Sequence, residues 1–161
     1  MTEQRYDIAI VGAGAAGIAV AASLKNRQPS LSIALIDPAE KHYYQPGWTM
    51  VGAGIFKAPS TERAMASVIP AGTTWIKEAV VSFEPHSHSL TLRNDLQIHY
   101  EQLVVAPGLT LDWDGIEGLR EHLGRNGVTS NYAYDTAPYT CLLYTSPSPR
   151  DATLSRMPSS A

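Results

Sequence analysis

Asp7-Ile-Ala-Ile-Val-Gly-Ala-Gly-Ala-Ala-Gly17 sets an apolar run directly before three closely spaced glycines. The apolar run Ile8, Ala9, Ile10 and Val11 reads as a buried parallel strand, because a strand covered on both faces needs no polar alternation. Gly12, Gly14 and Gly17 then supply the G-x-G-x-x-G turn into an alanine-rich helix, expected over Ile18 to Leu24. Gly12 permits the tight turn, Gly14 lets a pyrophosphate approach the main chain, and Gly17 lets helix and strand pack closely. The free amides of Ala15 and Ala16 face those phosphates, with the positive end of the helix dipole behind them. A second strand, Leu31 to Ile36, ends in Asp37, which stands 20 residues past Gly17, the spacing at which an acid meets a ribose hydroxyl. An acid here, where NADP sites use arginine, favours FAD or NAD.

Outward from this motif, His42-Tyr-Tyr-Gln-Pro-Gly-Trp48 gathers aromatic and imidazole side chains around a proline-glycine break and enters a short helix. Glu62 to Val68 reads as another short helix, ended by Pro70-Ala-Gly72. The periodicity then changes. Thr74 to Lys77, Ala79 to Phe83, Ser89 to Leu92, Gln97 to His99 and Leu103 to Ala106 read as short strands separated by turn residues. The middle members suggest a small antiparallel meander inserted in an α/β fold, and the apolar Leu103, Val104 and Val105 a parallel strand returning to the main sheet.

Composition narrows the partners. The 161 residues carry 12 Lys and Arg against 15 Asp and Glu, a net charge of −3 with no basic cluster, which argues against nucleic acid. No apolar run reaches the roughly 18 residues of a membrane span, and the N-terminus lacks a signal-peptide pattern, so membrane contact is not expected and a cytoplasmic location is. The single cysteine, Cys141, excludes an internal disulfide and a multi-cysteine metal site. His86-Ser-His88 has no acid or thiol nearby and reads as a turn, as does Asp112-Trp-Asp-Gly115; no metal site is expected. Tyr132, Tyr134 and Tyr139 read as one aromatic packing face. A two-domain nucleotide enzyme needs more than twice this length, so the chain is expected to be a fragment.

With Gly12 to Gly17, Asp37, His42 to Gly54 and Tyr100-Glu-Gln-Leu-Val-Val-Ala-Pro-Gly108 in view, the chain resembles the N-terminal part of the sulfide:quinone oxidoreductase family, flavoproteins of the pyridine nucleotide-disulfide oxidoreductase superfamily. The likeness runs from about Tyr6 to Thr140. It implies a truncated Rossmann-like FAD-binding domain over residues 1–112, a connection into a second nucleotide-binding-like domain over 113–140, and FAD as cofactor. FAD would lie with its pyrophosphate on Ala15 and Ala16 and its ribose on Asp37, with further contacts from Gln45 and the backbone of Val80, and with Ala106 and Gly108 close by. The family reaction would oxidise sulfide and pass the electrons through FAD to quinone in a longer parent peripheral to the membrane. The redox cysteines of that reaction fall beyond residue 140, so no catalytic residue is assigned and the chain itself is expected to be inactive. A fragment of a type II NADH dehydrogenase or of a flavocytochrome-type sulfide dehydrogenase is the near alternative; a non-catalytic nucleotide-binding remnant is the third reading. Residues 141–161 are expected to be a disordered tail, since Cys141-Leu-Leu-Tyr-Thr-Ser-Pro-Ser-Pro-Arg-Asp151 resembles translated sequencing adapter.

Overall fold

The structure, a computed structural model, describes residues 3–145, which form two compact units. The first comprises residues up to Tyr43 together with Glu62–Thr110. Its elements in chain order are β1 (Glu3–Val11), α1 (Ala15–Arg27), β2 (Ile33–Ile36), β3 (Lys41–Tyr43), β4 (Glu62–Ala64), β5 (Thr74–Ile76), β6 (Val80–Glu84), β7 (Ser89–Leu92) and β8 (Gln97–Val105). Six of the strands make one sheet in the order β5-β2-β1-β8-β7-β6. β1 lies parallel to β2 with Ile8 opposite Ile33, and parallel to β8 with Val11 opposite Val105; β2 and β5 are also parallel, Leu35 opposite Trp75. The chain is thus an α/β fold built on a mostly parallel sheet.

Both faces of the central strands are covered, which is why Ile8 to Val11 shows no polar alternation. Ile8 and Ile10 pack with Ile33, Leu35, Ala21 of α1 and Met65 on one face. Ala9 and Val11 pack with Ile36, Leu90, Leu92, Ile98 and Tyr100 on the other. The period-2 pleat sends neighbours in sequence into different cores.

Two expectations change. The strands expected at Gln97 to His99 and Leu103 to Ala106 are one strand, β8, because the link between them pairs with β1, Tyr6 opposite Tyr100 and Ile8 opposite Gln102. Its first half pairs with Glu3 to Tyr6 of β1, a stretch with no apolar signal. The expected antiparallel meander is present: β6 pairs with β7 and β7 with the first half of β8, at the edge of the main sheet. Glu62 to Val68 is not a helix: residues 62–64 form β4, paired antiparallel with β3, and Met65–Ser67 is one 3-10 turn. Pairing of Arg63 with His42 overrides the local helical pattern.

The second unit comprises Tyr44–Thr61 and the chain from Leu111 onward. It holds α2 (Gly47–Gly52), α3 (Leu119–His122) and α4 (Ala137–Thr145) with 3-10 turns at Ala58–Thr61 and Trp113–Gly115. Asp112 Oδ1 accepts the Gly115 amide at 3.1 Å, closing the turn expected there. The three tyrosines have different surroundings. Tyr134 meets Trp48 edge-on at 6.3 Å, the Tyr139 hydroxyl accepts the Gly127 amide at 3.0 Å, and Tyr132 is exposed. Helix α4 runs through the boundary drawn at residue 141 and includes Cys141; the rest of the expected tail, 146–161, lies outside the described residues.

Candidate functional site

The turn between β1 and α1 is set by backbone contacts that leave no space for a side chain at Gly12 or Gly17. Gly12 has φ +99°, and a Cβ there would stand 2.2 Å from the Ala106 carbonyl oxygen. A Cβ on Gly17 would stand 1.9 Å from the Gly12 carbonyl oxygen. These two glycines hold strand, turn and helix in contact. Gly14 is different: its φ of −70° suits any residue, and a Cβ would meet nothing within 4 Å. The space above it is open, as a ligand approaching the main chain requires.

Gly14 is the N-cap of α1, and no side chain caps that end. The helix is 13 residues long, has no acid in its first turn, and exposes Ala15 and Ala16. Free first-turn amides with the helix dipole behind them attract anionic oxygen.

Asp37 follows directly on β2 and reaches back to the turn. Its Oδ2 accepts the Ala13 amide at 2.7 Å and its Oδ1 the Ala39 amide at 2.8 Å. Two features of β5 fix its main chain. The Asp37 amide donates to the Ile76 carbonyl at 3.1 Å, and the Trp75 indole Nε1 donates to the Asp37 carbonyl at 2.9 Å. Sequence reasoning missed Trp75; only the parallel register of β5 on β2 brings it there.

Beside Asp37 opens a cavity of about 400 Å³ in the first unit, lined by Val11, Gly12, Ile36, Pro38, Glu78, Ala79, Val80, Phe83, Val105, Pro107 and Asp37 itself. It joins the ends of β1, β2 and β8 to the start of β6, the crevice at the carboxyl ends of strands where α/β sheets bind ligands. Its walls are apolar apart from two acids, and Glu78 Oε1 is occupied by the Ala79 amide at 2.8 Å. No base lines it, so it suits a neutral sugar and base better than a second phosphate.

Of the residues expected from sequence, Gly12, Asp37 and Val80 line this cavity. Gly14, Ala15, Ala16 and Gly17 form the turn and helix start. The Ala106 amide donates to the Val11 carbonyl at 2.8 Å, which sets the end of β8 behind Gly12; Pro107 lines the cavity, and Gly108 follows with φ +79°. Gln45 belongs to the second unit, where its carbonyl accepts the Trp48 amide at 3.0 Å.

The chain is 46% identical over 134 residues to the mitochondrial sulfide:quinone oxidoreductase of Dictyostelium discoideum, covering 83% of this chain and 30% of that protein. It is 35% identical over 138 residues to the mouse mitochondrial sulfide:quinone oxidoreductase, covering 86% of this chain and 31% of that protein. The crystal structure of the sulfide:quinone oxidoreductase from the bacterium Aquifex aeolicus superposes with a TM-score of 0.68 at 26% identity, over 89% of this chain and 33% of that one. The chain therefore spans about 30% of the length of the curated relatives it matches. These relatives are FAD-binding flavoproteins, and the residues here fit that cofactor: an uncapped helix end for the pyrophosphate, open space above Gly14, and a cavity beside Asp37 for the adenosine. The model of the pyridine nucleotide-disulphide oxidoreductases matches residues 6–137, and the chain belongs to that family.

Proposed function

We propose that this chain is the FAD-binding part of a sulfide:quinone oxidoreductase, and that the turn Gly12 to Gly17 with Asp37 holds the adenosine diphosphate half of the cofactor. The observation carrying the reading is an uncapped helix start that follows Gly12, a residue lining the cavity that Asp37 also walls. The sequence likeness to sulfide:quinone oxidoreductases over 83% of the chain supports the choice of substrate.

In this reading the first-turn amides of α1 neutralise the pyrophosphate, and Asp37 accepts ribose hydroxyls while keeping its bond to the Ala13 amide. The Val80 main chain offers hydrogen bonds to the adenine edge, and the apolar walls from Ile36, Phe83 and Val105 exclude water around it. Gln45, Ala106 and Gly108 are proposed as further contacts. FAD, when bound, supplies a two-electron acceptor between sulfide and quinone. The sulfur itself needs a thiolate nucleophile beside the flavin, and Cys141 is the only cysteine of the sequence. Binding without turnover is therefore proposed for this chain, and turnover for a longer parent acting peripherally at a membrane. Among the described residues no helix is long and apolar enough to cross one.

The test is flavin binding by the chain together with sulfide-dependent quinone reduction by the parent. Stoichiometric flavin in the parent and sulfide oxidation that requires quinone support the reading. A parent that carries NAD and no flavin, or that reduces quinone from NADH and ignores sulfide, overturns it.

A further inference from the structure

We propose that His42 is a positioning residue of the phosphate-binding turn, an inference that rests on reading that turn as the FAD site. Ala13 is wholly buried between Gly12 and Gly14. Its N–H is held by Asp37 Oδ2 at 2.7 Å, and its carbonyl accepts a bond from His42 Nδ1 at 3.3 Å. These two bonds fix the peptide planes on either side of Ala13. The second plane leads directly into Gly14, so its orientation decides where the free amides at the start of α1 point.

A carbonyl oxygen only accepts, so Nδ1 carries the proton in this contact: His42 acts as the Nδ1–H tautomer or as imidazolium. In both forms it donates. The ring is half-buried and its backbone is staked by strand pairing, His42 opposite Arg63, with the neighbouring Lys41–Glu62 ion pair at 2.7 Å. Strands β3 and β4 thus deliver one side chain to the turn. None of the proposed FAD contacts uses the His42 side chain.

The experiment compares His42→Phe, which keeps an aromatic ring and loses the donor, with His42→Asn, whose amide nitrogen falls near the place of Nδ1. Two quantities are read on the 161-residue chain: FAD affinity by flavin fluorescence titration, and the carbonyl-carbon NMR shift of Ala13 without flavin, which reports the bond that carbonyl accepts. The Phe variant is expected to weaken FAD about fivefold, the worth of one hydrogen bond, with a displaced Ala13 carbonyl resonance and an unchanged circular dichroism spectrum. The Asn variant is expected to restore affinity to within about twofold and to return the resonance toward its wild-type position. Equal affinity and carbonyl shift in wild type and Phe variant would overturn the proposal, as would equal changes in both variants, which point to ring packing alone. If wild type binds no FAD while the Ala13 carbonyl shift still follows the Phe and Asn pattern, the FAD reading fails and the positioning role stands.

Discussion

Gly14 and Gly17 stand three residues apart in one motif, yet the structure asks opposite things of them. At Gly17 an added Cβ runs into the Gly12 carbonyl oxygen at 1.9 Å, so Gly17→Ala forces α1 away from β1 and is expected to cost about 1–3 kcal/mol of stability in chemical denaturation. At Gly14 the fold has nothing to lose. Gly14→Asn puts a favoured N-cap residue on backbone already extended at φ −70°, ψ −174°, and stability is expected to hold or rise by a few tenths of a kcal/mol. The same side chain would occupy the amides and the space that the pyrophosphate needs, so FAD affinity is expected to fall by at least about tenfold, or 1.4 kcal/mol. A variant that gains stability while losing ligand separates site from scaffold. Asp37→Ala removes a ribose acceptor and the anchor of the Ala13 amide together, and is expected to weaken FAD by about 1–3 kcal/mol in the same titration.

At the scale of elements, β1 and β2 are latched just before their apolar stretches. Asp7 Oδ2 accepts the Ser32 amide and hydroxyl, both at 2.7 Å, and the Asp7 amide donates to Ser32 Oγ at 2.9 Å. The Ser32 backbone bond first, and its hydroxyl second, hold the Asp7 carboxyl below the usual carboxylate range. Because the folded-state value is the lower one, the latch contributes fully above the unfolded value of about 4 and loses its contribution as pH falls through that value toward the folded one. The Asp7→Asn variant should therefore lose less stability than wild type on acidification, measured by denaturant unfolding between about pH 6 and pH 3. What the sequence disclosed at this scale follows a physical divide. The β1 core, the glycine turn, α1 and the acid after β2 were legible because each is encoded within a few residues by apolar runs, glycines and spacing. The full lengths of β1 and β8, the strand at Glu62–Ala64 and the Trp75 bond to Asp37 were not, since each depends on pairing between segments distant in sequence. For the same reason the motif disclosed Asp37 but gave no sign that its carboxylate also braces Ala13.

For the whole molecule, the chain spans about 30% of the relatives it matches, and sulfur chemistry is proposed for neither of its two units. Sulfide-dependent reduction of a soluble quinone analogue by the FAD-supplied chain is accordingly expected to stay at the rate of free FAD, and Cys141→Ser to change nothing. Turnover above that background that disappears in Cys141→Ser would show that α4 carries a reactive thiol the account leaves out. The site itself is tested by equilibrium titration of the 161-residue chain with FAD, followed by flavin fluorescence, with NADP as competitor and Gly14→Asn as control. Saturable one-to-one binding is expected, which NADP fails to displace and which Gly14→Asn weakens at unchanged circular dichroism. A folded chain that ignores FAD, that prefers NADP, or that binds FAD equally well with asparagine at position 14 would contradict it.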